Sequence, residues 1–163
     1  MKKIVLFFVS VVTIVAVMSG CMVVPDNSTL GNPKEFEKDG IKLLLTDEFE
    51  EKRSEVGFDA YYESDFCGVV VLKESFSLEE GLEERPLSEY TENVMTNNGH
   101  SDSDVIEEDR FYYYIYERGG TKGYSCCYKG TDAFWIVQFM CRTSDAAMLE
   151  DTIKLWAQAV EVE

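Results

Sequence analysis

Residues 111–141 read FYYYIYERGGTKGYSCCYKGTDAFWIVQFMC, and this stretch decides the fold. Tyr, Ile, Val, Phe and Trp, which suit a pleated and half-buried backbone, are interrupted at Gly119-Gly120 and at Gly130-Thr131 by residues that suit tight turns. The spacing predicts three strands, Phe111 to Arg118, Lys122 to Lys129 and Ala133 to Cys141, in an antiparallel meander. With the turns so centred, alternation puts Phe111, Tyr113, Ile115, Tyr124, Cys126, Trp135, Val137 and Phe139 on one face. Tyr112, Tyr114, Tyr116, Cys127, Phe134, Ile136 and Met140 fall on the other. Both faces are apolar or aromatic, so both must be covered.

The flanking sequence supplies the covers. Downstream, a helix is expected over 145–158 from a Ser144 cap, with Met148, Leu149, Ile153 and Trp156 turned inward, before Val160 and Val162 return to the sheet. Upstream, Leu87 to Asn98 changes to helical spacing through Tyr90, Val94 and Met95, with Ser88 as cap and Gly99 past the end. Earlier still, Gly57 to Tyr62 and Phe66 to Lys73 flank Glu63-Ser64-Asp65 as a hairpin, and the unbroken run Val69 to Leu72 marks a strand covered on both faces. Asp39-Gly40 turns the chain into a strand at Ile41 to Leu45. The class is α+β: an α/β/α sandwich with a central antiparallel sheet over residues 34–163.

The first residues read differently. Lys2 and Lys3 precede an uncharged run from Ile4 to Val17, the order that orients an export signal, and roughly 14 apolar residues are short against the ~20 that span a bilayer. Met18-Ser19-Gly20-Cys21 follows at once. Small residues before a thiol resemble the lipobox of bacterial lipoproteins, with Met18 in place of the usual Leu. Residues 1–20 are therefore expected to be a signal peptide and Cys21 the acylated N-terminus, where two or three chains anchor stably. Residues 21–33, with Pro25, Asn27, Ser28, Gly31, Asn32 and Pro33, have the composition of a tether that reaches roughly 40 Å.

The chain carries 15 basic and 31 acidic residues, and losing Lys2 and Lys3 with the leader takes its net charge from −16 to −18. Such a charge argues against nucleic acid and against a basic patch on anionic lipid. The densest acidic stretch, Asp102, Asp104, Glu107, Glu108 and Asp109, lacks the third ligand and turn glycine of a calcium loop and reads as a solvated connector.

Chemistry is sparse. His100 is the only histidine and lies at a polar loop end, away from any residue expected to orient it for a partnership with Cys67, Cys126, Cys127 or Cys141. Cys126 and Cys127 point to opposite faces of a strand and no CxxC spacing occurs, which disfavours zinc. The four cysteines read as buried, reduced core residues, with one disulfide as the rival state. The tyrosines remain: Tyr112, Tyr114 and Tyr116 are the candidate ligand-binding residues, since flat rings with polar edges suit sugars.

Several segments together carry a family resemblance: DGI-x-LLLT at 39–46, YYES at 61–64 leading into GVVVLKE at 68–74, LSEY at 87–90, YYYIYE at 112–117, FWIVQFMC at 134–141 and LWAQAVEV at 155–162. The chain resembles the PsbP-like (Mog/PsbP) superfamily, and within it the small lipoproteins of Gram-positive gut bacteria. The resemblance spans about residues 36 to 162. It implies a binding or assembly module without enzyme chemistry, and it fixes no catalytic, metal or cofactor residue.

The expected function is a membrane-tethered, extracytoplasmic binding or assembly module, attached through its lipid to the cell membrane of a Gram-positive bacterium, with another envelope protein as partner. The alternative is a solute- or glycan-binding lipoprotein that uses the tyrosine-rich sheet surface.

Overall fold

The computed structural model describes residues 30–53 and 57–163. The meander forms as its sequence dictates: β7 (Tyr112–Arg118), β8 (Thr121–Lys129) and β9 (Ala133–Arg142) pair antiparallel in order. Gly119 and Gly120 both take positive φ, 60° and 83°, the backbone of a two-residue turn whose twist matches that of its strands. Tyr113, Cys126 and Val137 are consecutive cross-strand partners, as are Tyr112, Cys127 and Ile136, so the two faces carry the residues that alternation assigns to them.

The rest of the sheet is built around this meander. The hairpin of β4 (Ala60–Glu63) and β5 (Cys67–Ser75) docks β5 alongside β9, and two-residue strands, β3 (Glu50–Glu51) and β6 (Ile106–Glu107), finish the edges. The order is β3-β4-β5-β9-β8-β7-β6. Val69, Val70 and Val71 are all buried, as a strand covered on both faces requires.

Two helices cover the sheet. α1 (Leu87–Asn97) lays Tyr90, Val94 and Met95 over Cys127, Phe134, Ile136, Tyr114 and Tyr116. It begins on Pro86, not on a Ser88 cap: proline holds φ at −59° and its carbonyl accepts the first helical bond, from Tyr90 N. It ends at Gly99 in a Schellman motif, with Gly99 N bonded to Thr96 O and His100 N to Met95 O. On the opposite face α2 (Ala146–Gln158) buries Leu149, Ile153 and Trp156 against Tyr113, Tyr124, Cys126, Val137 and Phe139, and each fully buried aliphatic there contributes about 1.5–3 kcal/mol. Ser144 does not cap this helix either. Its hydroxyl bonds the Asp145 carboxylate at 2.9 Å, while the Asp145 carbonyl takes the first-turn amides of Met148 and Leu149.

A second, smaller sheet shares the α2 face. β1 (Pro33–Lys38) and β2 (Ile41–Thr46) form a hairpin at Asp39-Gly40, and β10 (Glu161–Val162) pairs with the free edge of β2. Val162 thus returns to this sheet and not to the central one, because β1 covers only one edge of β2 and the other leaves backbone groups to be paired. Ile41, Leu43 and Leu45 join the core beneath α2. The architecture is mixed α+β, with a seven-stranded antiparallel sheet between α1 on one face and α2 with the small sheet on the other. The domain also starts earlier than residue 34: Leu30 is buried and Asn32 bonds Asp47 through its backbone and its side-chain amide, at 2.7 and 2.9 Å. Residues 30–33 of the expected tether belong to the folded body.

Candidate functional site

Tyr112, Tyr114 and Tyr116 share one face of β7, as alternation requires, but that face lies towards α1. Tyr112, half-buried, donates its hydroxyl to Glu107 Oε1 at 2.7 Å, and that bond holds its pKa up. Tyr114 has no exposed surface; Asn98 Nδ2 donates to its oxygen at 3.3 Å, and burial raises its pKa. Tyr116, 8% exposed, stacks on His100 with ring centroids 4.3 Å apart. The last two rings are packed into the layer between sheet and helix and do not form an open platform for a sugar. Periodicity identifies their face; only the helix above it shows that the face is closed.

His100 is half-buried against Tyr116 and near Tyr114, and burial, then the charge of Arg118, lowers its pKa. Among the described residues its ring partners are the aromatic side chains of Tyr114 and Tyr116. All four cysteines of the domain are buried and unbridged. Burial is the largest cause raising each of their pKa values, Cys127 to about 12 and Cys141 to about 11, with Cys67 and Cys126 higher still. A thiol held protonated is a poor nucleophile.

The acidic connector is partly ordered as β6, whose Ile106 and Glu107 pair with Tyr113 and Tyr112. Among the described residues no group of three His, Cys, Asp or Glu side chains is placed to hold a metal ion.

Among the described residues, a cleft at the sheet edge is a candidate binding surface. It opens beside β3 and β4, occupies about 460 Å³ and is lined by Lys38, Glu51, Lys52, Arg53, Phe58, Asp59, Ala60 and Tyr61. Lys52 N bonds Tyr61 O at 2.8 Å, which ties one wall to the other. Lys38 Nζ reaches Glu51 Oε1 at 2.7 Å and Lys52 Nζ reaches Glu50 Oε2 at 2.6 Å. Burial, and then Glu63, pushes the Tyr61 hydroxyl up to about 12, so it stays a neutral donor. Three cations, Lys38, Lys52 and Arg53, line the cleft together with Glu51 and Asp59, which makes it a mixed-charge surface in so acidic a chain. In the sequence its sign is the switch from Glu50-Glu51 to Lys52-Arg53.

Cys21, the residue expected to carry lipid, lies outside the described residues, as do the signal peptide at 1–20 and the tether as far as residue 29. No helix among the described residues is long and apolar enough to cross a membrane.

No family model matches the chain, and no curated protein matches it. Solved structures do. The solution structure of cyanobacterial PsbP (CyanoP) from Synechocystis superposes with a TM-score of 0.58 at 9% identity, over 88% of this chain and all of that one. LpqN of Mycobacterium tuberculosis, involved in cell envelope biogenesis, gives 0.46 at 10% identity over 80% of this chain and 89% of its own. A Pseudomonas aeruginosa protein of unknown function, described as a putative regulator, gives 0.42 at 11% identity over 79% and 96%. The likeness to the cyanobacterial protein is one of fold: this domain has the PsbP-like fold.

Proposed function

We propose that this chain is an extracytoplasmic module held to the outer face of a Gram-positive cell membrane by lipid on Cys21, and that it binds or assembles with another envelope protein without catalysing a reaction. The observation that carries the proposal is the order of the first 21 residues. Two lysines, an uncharged run of sub-membrane length and Ser19-Gly20-Cys21 follow one another as lipoprotein export requires.

The domain behind that anchor supports the reading in two ways. Its lone histidine is committed to ring stacking and its thiols are held protonated, which leaves little for nucleophilic chemistry. The Lys38, Lys52 and Arg53 cleft offers charged donors at an exposed sheet edge, where a protein partner can meet them.

Two measurements test the proposal. Mass spectrometry of the mature N-terminal peptide should find residue 21 first in the chain and diacylated or triacylated; an unmodified Cys21, or retention of residues 1–20, would overturn the anchor. Crosslinking in intact cells should then recover a discrete envelope protein, lost when Lys52 and Arg53 are changed to Glu. Recovery of lipid adducts alone would remove the assembly role.

A further inference from the structure

Cys67 opens β5 and Cys141 stands next to the end of β9, and the two are direct partners in the antiparallel ladder. In such a ladder alternate pairs exchange backbone hydrogen bonds, and the pairs between them stand closer, with Cα atoms about 4.5 Å apart. Neighbouring bonds decide which kind this is. Phe76 N donates to Asp132 O at 2.8 Å, and stepping along the register from there makes Gly68 and Met140 a bonded pair and Cys67 and Cys141 an unbonded one. The backbone of Cys67 agrees. Its N–H donates to Ser64 Oγ at 3.2 Å and its carbonyl accepts from Ser64 N at 3.0 Å, so both groups turn to the β4 side.

The two side chains project from one face of the sheet into the same core, where Cys67 is 1% and Cys141 4% exposed. A disulfide needs Cα atoms roughly 4.4–6.8 Å apart with converging Cβ vectors, and an unbonded antiparallel pair falls inside that window. Cys126 and Cys127 have no such opportunity, since they face Val137 and Ile136 on one side and Tyr113 and Tyr112 on the other. Among the described residues, Cys67 and Cys141 are the only cysteines opposed across a pair of strands.

We propose that Cys67 and Cys141 form a disulfide between β5 and β9 when the folding chain meets a disulfide-bearing oxidant. An oxidising extracytoplasmic compartment supplies oxidants of this class, and that setting rests on the exported reading above. The thiolate of one cysteine attacks the oxidant's disulfide, forming a mixed disulfide and releasing one oxidant thiol. The second thiolate then attacks the protein sulfur and expels the other. The two protein thiol protons end on the oxidant's two sulfurs, and the two electrons released reduce its disulfide. Both sulfurs are sealed in the finished core, so the reaction belongs to the stage at which β5 is finding β9.

The full chain in detergent can be reduced, unfolded, refolded with oxidised glutathione, alkylated under denaturing conditions and mapped by mass spectrometry without reduction. The expected result is one linked peptide pair joining Cys67 to Cys141, with Cys126 and Cys127 alkylated. The bridge closes a long loop through α1 and the meander, so the melting temperature should lie roughly 10 °C above that of protein reduced while unfolded and refolded in dithiothreitol. Cys67→Ser with Cys141→Ser should abolish that difference between buffers, while Cys126→Ser should leave it intact. Alkylation of both Cys67 and Cys141 after refolding, or a bridge from either to another cysteine, overturns the proposal. Mapping protein taken from its own cells reports separately on location: a pair linked in vitro but free in cells would count against export and leave the pairing standing.

Discussion

The ring of Tyr116 lies over the bare backbone of Gly123, its cross-strand partner on β8, and also stacks on His100. A Cβ at position 123 would overlap ring atoms Cε1 and Cζ and the hydroxyl oxygen. Glycine is needed here for space, not for a turn. Gly123→Ala should force the ring away from β8 and cost about 1–3 kcal/mol, read as a lower midpoint in urea with an unchanged slope. A variant as stable as the parent would mean that the ring has a second home.

The same stack predicts a pH dependence. His100 has a pKa below its ordinary value of 6.5, chiefly because burial disfavours the imidazolium and then because Arg118 repels it. The unfolded chain therefore takes up this proton first as pH falls. The contribution of neutral His100 is complete above pH 6.5 and is lost progressively below it, until the folded form also protonates. Nuclear magnetic resonance titration of the imidazole should give a midpoint below 6.5, and His100→Gln should flatten the stability profile just below that pH. A midpoint above 6.5 would contradict the burial argument.

These contacts also show what a sequence can and cannot specify. The faces of β7, β8 and β9 can be read from residues 111–141, because alternation runs the length of each strand and Gly119-Gly120 pins one register. β3 and β6 are two residues long and have no period to detect. The pairing of Glu161 and Val162 with β2, and the placement of Cys141 opposite Cys67, depend on which strand edges meet after collapse, and no local pattern encodes that. Ser88 and Ser144 have cap chemistry, but Pro86 starts one helix and the Asp145 carbonyl the other. Of the candidate tyrosines, alternation correctly groups Tyr112, Tyr114 and Tyr116; that α1 closes over Tyr114 and Tyr116 follows only from tertiary packing.

Tyr90 separates two interactions in one side chain. Its ring stacks on Phe134 at 3.9 Å and 12°, and its hydroxyl donates to Glu74 Oε2 at 2.6 Å. Tyr90→Phe keeps the stack and removes a hydrogen bond to a charged acceptor, an expected loss of about 1.5–3 kcal/mol. Tyr90→Ala also opens a cavity beneath α1 and should cost about 3–5 kcal/mol in total. Equal stability of Tyr90→Phe and the parent in urea would show that water replaces the hydroxyl at Glu74 without penalty.

Asp47 fastens the place where the chain enters the domain. Its Oδ1 accepts from Asn32 N, its Oδ2 accepts from Asn32 Nδ2, and its own N–H donates to Asn32 O at 2.8 Å. The side-chain bond from Asn32, followed by the backbone one, holds the Asp47 carboxyl below its ordinary 3.8. A carboxylate with a lowered folded pKa contributes fully above the unfolded value and loses that contribution as pH falls through the folded one. The clasp should therefore hold at neutral pH and open in acid. Because it lies at the surface, its opening should be local. In Asp47→Ala, hydrogen exchange at the Asn32 amide should accelerate at neutral pH, while amides of β8 and β9 keep their protection. If protection at Asn32 survived the substitution, the entry strand would be held by its pairing with β2 alone; if β8 and β9 lost protection as well, Asp47 would be supporting the whole core.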